Sequence, residues 1–135
     1  MRAPLVTTRR RRSGSLTMEL VLVLPILMFM LLGMFEFAFL FLAQGTLENA
    51  AQAGARLATL HGVLEQDVVA EVHRKLTPRL QQSAQVVLQD AEHSGEEVVV
   101  LVQVPSSNAS PDLLWAVGYS LQGKTIVAEA RMTKE

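Results

Sequence analysis

The chain has 135 residues, half of them hydrophobic, a formal net charge of −1 and no cysteine, so one small unit with neither disulfide framework nor thiol chemistry is expected. Charge is unevenly spread: residues 1–14 hold five arginines and no acid, whereas residues 44–135 hold seven Lys or Arg against eleven Asp or Glu. A mildly acidic larger part argues against nucleic acid as a partner, because phosphate binding draws on Lys and Arg.

Residues 1–13 read as a disordered, disposable leader that carries Arg9, Arg10, Arg11 and Arg12 and runs into Gly14. Ser15, Leu16, Thr17 and Met18 follow, then a lone carboxylate, Glu19. Residues 20–42 are 23 residues interrupted by a single charge, Glu36. At about 1.5 Å per residue this run extends about 35 Å, enough to cross a hydrocarbon core of about 30 Å. Pro25 and Gly33, unwelcome in a soluble helix, are tolerated in a spanning one. Arginines beside a span stay on the cytoplasmic side, so Arg9 to Arg12 are its orientation signal and everything after Leu42 lies outside. The run is too long for a secretory signal peptide and lacks the small residue two before Ala43. It is also too hydrophobic for a twin-arginine export signal.

Beyond the membrane, residues 46–61 still read as helix, with Ala50, Ala51, Ala53, Ala55 and Ala58 supplying propensity. At about 100° per residue, Gly33, Glu36, Ala43, Leu47, Ala50, Gly54 and Ala58 fall within about 60° of one line. Small residues let helices approach closely in a bilayer, so this stripe is a helix-packing face for a partner. Glu36, between Phe35 and Phe37 in the span, must be protonated, paired or near water. It either faces a donor on a partner's helix or sits at the outer headgroups of a tilted span.

Gly62 is expected to end the long helix. Leu64, Val68, Val72, Leu76 and Leu80 then recur every four residues as an amphipathic helix, with a kink or restart at Thr77-Pro78. From Gln85 the period changes. Val86-Val87-Leu88 and the β-branched run from Val98 to Val104 predict an antiparallel hairpin about the turn His93-Ser94-Gly95-Glu96. A short helical turn over residues 112–117 is expected to deliver Trp115 to the core. The alternation of Ile126, Ala128, Ala130 and Met132 marks a third strand. The fold class is α+β: a long helix with one transmembrane span, a second amphipathic helix and a small three-stranded antiparallel sheet. Residues 15–61 form the spanning helix with its extension, and residues 62–135 the head.

No catalytic constellation stands out. His61, His73 and His93 have no metal-ligand spacing, and Asp90, Glu92, Glu96 and Glu97 read as a solvated rim around a turn. Asn108-Ala109-Ser110 fits a glycosylation pattern of low specificity. No cofactor, metal, small-molecule substrate or enzyme activity is expected.

A basic leader, a glycine, four mostly uncharged residues, a glutamate and then an apolar helix resemble prepilins of the type IV pilus class. More closely, the segment from Met18-Glu19-Leu20 to Pro25, then Gly33, Glu36-Phe37 and the run from Asn49 to Arg56, is similar to TadE-like minor pseudopilins of the Tad (tight adherence) pilus system. The match runs from about Gly14 to Ala58; Leu20 departs from it, standing where the family has an aromatic residue. The resemblance implies cleavage between Gly14 and Ser15 by a prepilin peptidase, which leaves Glu19 one turn from the new amine. It also implies a bacterial inner-membrane location, assembly with other pilins or pseudopilins and the Tad machinery, and a role in surface adhesion. The competing expectation is an uncleaved single-span anchor whose head binds a protein of a secretion or envelope complex.

Overall fold

The computed structural model describes residues 13–89, 91 and 93–134; Arg9, Arg10, Arg11, Arg12, Asp90, Glu92 and Glu135 lie outside the described residues. Helix α1, Ser13–Ala58, is a single run of 46 residues that continues through Pro25. Its two halves meet different surroundings. Over residues 16–35 no side chain is buried, and Leu16, Met18, Leu22, Met30 and Met34 are largely exposed. A helix that is apolar all round and has no protein against it is suited to lipid. It is long and apolar enough to cross a membrane. From Glu36 onward the helix is partly covered: Ala43, Leu47, Ala50, Ala51, Ala55 and Ala58 are buried.

What covers them is the head. After α1 come α2 (Glu65–Lys75), α3 (Pro78–Gln81), β1 (Gln85–Gln89), β2 (Glu97–Pro105), α4 (Ser106–Ala109), a 3-10 helix (Leu114–Val117) and β3 (Thr125–Thr133). The strands form one antiparallel sheet in the order β1-β2-β3. Strand β2 is central. Its alternating Val98, Val100, Val102 and Val104 all point inward and are fully buried, as a period of two requires. Val100 stands opposite Leu88 of β1 and Ala130 of β3, and Val102 opposite Val86 and Ala128. The sheet lays this face on α1, and α2 packs alongside the same helix through Val68 and Val72.

Local chemistry explains the breaks. Helix α1 stops at Ala58, and the following turn passes through Gly62, whose φ of 80° suits a residue without Cβ. In α2 the first turn carries Glu65 and Asp67 and the last His73, Arg74 and Lys75, each sign at the pole that favours it. Asp67 also accepts the Leu64 N–H. The helix ends at Lys75; Thr77 precedes α3 and accepts the N–H of Leu80 and Gln81 on its carbonyl, with Pro78 in the first turn. Gln81 then donates through Nε2 to the carbonyls of His73 at 2.8 Å and Leu76 at 2.9 Å, satisfying acceptors at the α2 terminus.

The expected α+β plan is present: the long helix, the amphipathic helix with its restart at Pro78, the hairpin and the third strand. One expectation fails. The turn over residues 112–117 exists as the 3-10 helix, but Trp115 is not in the core; it is 70% exposed. The preceding residue takes the inward position, because Leu114 lies on α1 with Cδ1 3.6 Å from where a Cβ of Gly33 would stand.

Among the described glycines the tightest surroundings are at Gly54. A Cβ there would lie 2.5 Å from Val72 Cγ2, 3.4 Å from Val100 Cγ1 and 3.5 Å from Val68 Cγ1. Three elements, α1, α2 and β2, meet over this hydrogen atom, and valine has a stiff χ1 with little freedom to withdraw. Gly45, also in α1, has nothing within 4 Å of its virtual Cβ. The two glycines form a matched pair. Gly45→Ala should raise thermal stability in detergent by roughly 0.5–1 kcal/mol through helix propensity. Gly54→Ala should lower it, because overpacking of about 1–3 kcal/mol exceeds the same gain.

Candidate functional site

The residues singled out by sequence fall into three places along α1. Gly14 and Ser15 lie in its first turns, and Glu19 is exposed one turn further. Gly33 and Glu36 lie where the uncovered half gives way to the covered half. Ala43, Ala50 and Gly54 lie under the head, both alanines buried and Gly54 at the junction just described. In this chain the stripe of small residues lies against the head itself: Gly33 and Glu36 against the loop at Leu113 and Leu114, and Gly54 against α2 and β2.

Glu36 occupies the joint between the two halves. It is 1% exposed. Its Oε2 accepts the N–H of Leu113 at 2.8 Å and that of Leu114 at 2.9 Å, the first donors of the 3-10 helix. Such N–H groups have no partner within a helix of their own and hold the positive end of its dipole, so a carboxylate satisfies both demands. The Ser110 hydroxyl, itself buried, lies 3.4 Å from the Glu36 carbonyl and 3.1 Å from that of Pro111. The other carboxylate oxygen, Oε1, has no hydrogen-bond partner among the described residues. In this chain the donors that face Glu36 come from its own loop, 77 and 78 residues away in sequence.

That loop, residues 112–121, is the element whose contact with α1 has no signature in the sequence. Ser120 donates to Asp112 Oδ2 at 2.8 Å and accepts the N–H of Gln122 at 3.2 Å, tying the two ends of the loop together. Gly118 ends the 3-10 helix with φ 84°, its N–H returning to the Trp115 carbonyl at 3.0 Å. The available signal was an apolar Leu113-Leu114-Trp115 cluster between a polar loop and a strand, with nothing to say which distant residue would cap it.

Beside this joint an apolar groove of about 550 Å³ runs between α1 and the start of β3. Phe37, Leu40 and Phe41 form one wall and Tyr119, Leu121 and Ile126 the other. Lys124 lies with its Nζ 3.7 Å from the centre of the Tyr119 ring. Among the described residues no three His, Asp or Glu side chains converge on a point that could hold a metal ion.

Glu36→Leu would remove the oxygen that accepts both bonds and leave two N–H groups of the loop orphaned, each at a cost of about 1–3 kcal/mol. Hydrogen exchange at Leu113 and Leu114 should then accelerate while the amides of α2 keep their protection. Glu36→Gln retains an oxygen acceptor and should fall between the two.

Comparison with known proteins bears on the same helix. Neither the curated proteins nor the solved structures give a match to this chain. A family model described as TadE-like protein matches residues 14–56, from Gly14 through Glu19, Gly33, Glu36 and Gly54 to Arg56. The resemblance read from the residues is thus found independently: over this segment of α1 the chain is similar to TadE-like proteins.

Proposed function

We propose that this protein is a minor pseudopilin of the Tad pilus system, made as a membrane precursor and used in assembling adhesive pili. The observation that carries the reading is the family match, whose first residue is Gly14 and which contains Glu19 and the whole apolar run. In this reading a prepilin peptidase hydrolyses the Gly14–Ser15 bond, removing the arginine leader and leaving a free ammonium on Ser15. Glu19, one turn along α1, then supplies a carboxylate within reach of an ammonium, its own or a neighbour's, in surroundings where an unpaired charge is unfavourable. The arginine leader stays cytoplasmic and the head lies outside.

The shape of α1 supports this role. Residues 16–35 carry apolar side chains on every side and none of them is buried, a surface that suits lipid first and the helices of neighbouring pilins afterwards. The head, by contrast, has already satisfied its small-residue face internally. Other pilins or pseudopilins would therefore be engaged through the exposed N-terminal half, and Glu19 would set the register of that contact. The Tad assembly machinery completes the set of partners. No substrate is turned over in this mechanism.

Intact mass and N-terminal sequencing of the membrane-extracted protein test it, with and without a co-expressed prepilin peptidase. The expected result is a peptidase-dependent start at Ser15 that Gly14→Leu abolishes. Glu19→Val should still be cleaved but should lose co-purification with other pilins. A chain that keeps its leader in the presence of the peptidase is instead a static anchor whose head serves an envelope complex.

A further inference from the structure

The chain's seven aromatic residues are unusually placed. All five phenylalanines lie in α1 between Phe29 and Phe41, and the head contributes only Trp115 and Tyr119. Its core is aliphatic throughout, built of Val, Leu and Ala. The two large amphipathic rings that would ordinarily anchor such a core are outside it: Trp115 is 70% exposed, Tyr119 40%, and Val117 between them 54%. No charged residue occurs from Leu113 to Leu121.

The height of this patch along α1 is fixed by contacts. Glu36 holds the N–H groups of Leu113 and Leu114, and Leu114 reaches down to Gly33. Residues 16–35, the half of α1 in which no residue is buried, number 20 and extend about 30 Å, the thickness of a hydrocarbon core. Where that length ends, the 3-10 helix begins. Phe35, Phe37, Phe39 and Phe41 continue the exposed apolar surface on α1 at the same level.

We propose that the loop of residues 113–119 is a lipid-docking element, by which the head rests on the bilayer that α1 crosses, with Trp115 and Tyr119 in the headgroup layer. Tryptophan and tyrosine are suited to that layer because one end of each ring system is apolar and the other carries a hydrogen-bond donor. Lys124, over the Tyr119 ring, has the long apolar stem and charged tip that place a cation at phosphate depth. The occupant follows from continuity: the patch is an extension of the surface that α1 offers to lipid. Glu36 is then sheltered from the bilayer by the loop it holds.

This inference rests on α1 spanning the membrane, and the experiment separates the two. Trp115 is the sole tryptophan, so the unmodified full chain reports on the loop directly. The protein is reconstituted into phosphatidylcholine–phosphatidylglycerol liposomes, washed with carbonate and floated. Matched samples contain lipids brominated high or low on their acyl chains. Docking predicts blue-shifted emission that is quenched by bromine, more strongly by the shallow label than the deep one, and shielded from aqueous acrylamide. A chain that floats after carbonate yet shows red-shifted, acrylamide-accessible emission untouched by bromine refutes the docking loop and leaves the span standing. Emission that is blue-shifted but insensitive to bromine, and that reverts when excess lipid dilutes the protein, means that another copy covers Trp115, which also overturns the proposal. Release by carbonate removes the span and the docking together.

Discussion

The contact between the Glu36 carboxylate and the N–H groups of Leu113 and Leu114 fixes how the head meets the helix. Packing alone leaves that relation loosely set, since an aliphatic sheet face of valines and a helix face of alanines can slide on one another with little loss of buried area. A carboxylate held by two main-chain donors has no such latitude. It places one loop at one residue of α1, and from there the packing of Gly54 against β2 and α2 falls into register. An acid in an apolar helix, difficult to rationalise as lipid-facing, is the point at which the chain stops being a bare helix and becomes a covered one.

The two anchors work differently. At Glu36 the constraint is polar and directional, and its loss leaves donors without partners. At Gly54 the constraint is steric: α2 and β2 reach the helix axis closely because there is no side chain between them. Between these points lies a face of alanines, Ala43, Ala50, Ala51, Ala55 and Ala58, which keeps the sheet and α2 near the backbone of α1 along its covered half. A small head thereby acquires a core by borrowing one wall from a helix that already exists for another purpose.

Much of this was legible in the sequence because it depends on local periodicity. The apolar run announces α1, the four-residue recurrence from Leu64 announces α2, Thr77-Pro78 announces the restart, and the valines from Val98 to Val104 announce a central strand. Periodicity also picked out the stripe containing Gly33, Glu36, Ala43, Ala50 and Gly54 as a packing face. It identifies which face is covered, but not by what, since the covering elements lie far along the chain. The partner of Glu36 was illegible for that reason. Trp115 was misread because a large ring in an apolar cluster is ordinarily buried; Leu114 had taken the inward position, and a one-residue difference in a turn decides which side chain goes in. The proposed processing residues Gly14, Ser15 and Glu19 stand out in the sequence through their order and through the resemblance to prepilins.

The continuous 46-residue α1 has a mechanical consequence. The head follows the C-terminal end of α1 in the chain but packs back along its side, from Glu36 to Ala58. A pull along the helix axis therefore loads the attachment in shear, with the Glu36 joint, the alanine face and the Gly54 junction strained in parallel. Strands and helices loaded this way resist together and yield together, whereas an end-on attachment would peel one contact at a time. The same chain pulled at right angles, from the β3 end, would open like a zipper, so its resistance to force depends on direction.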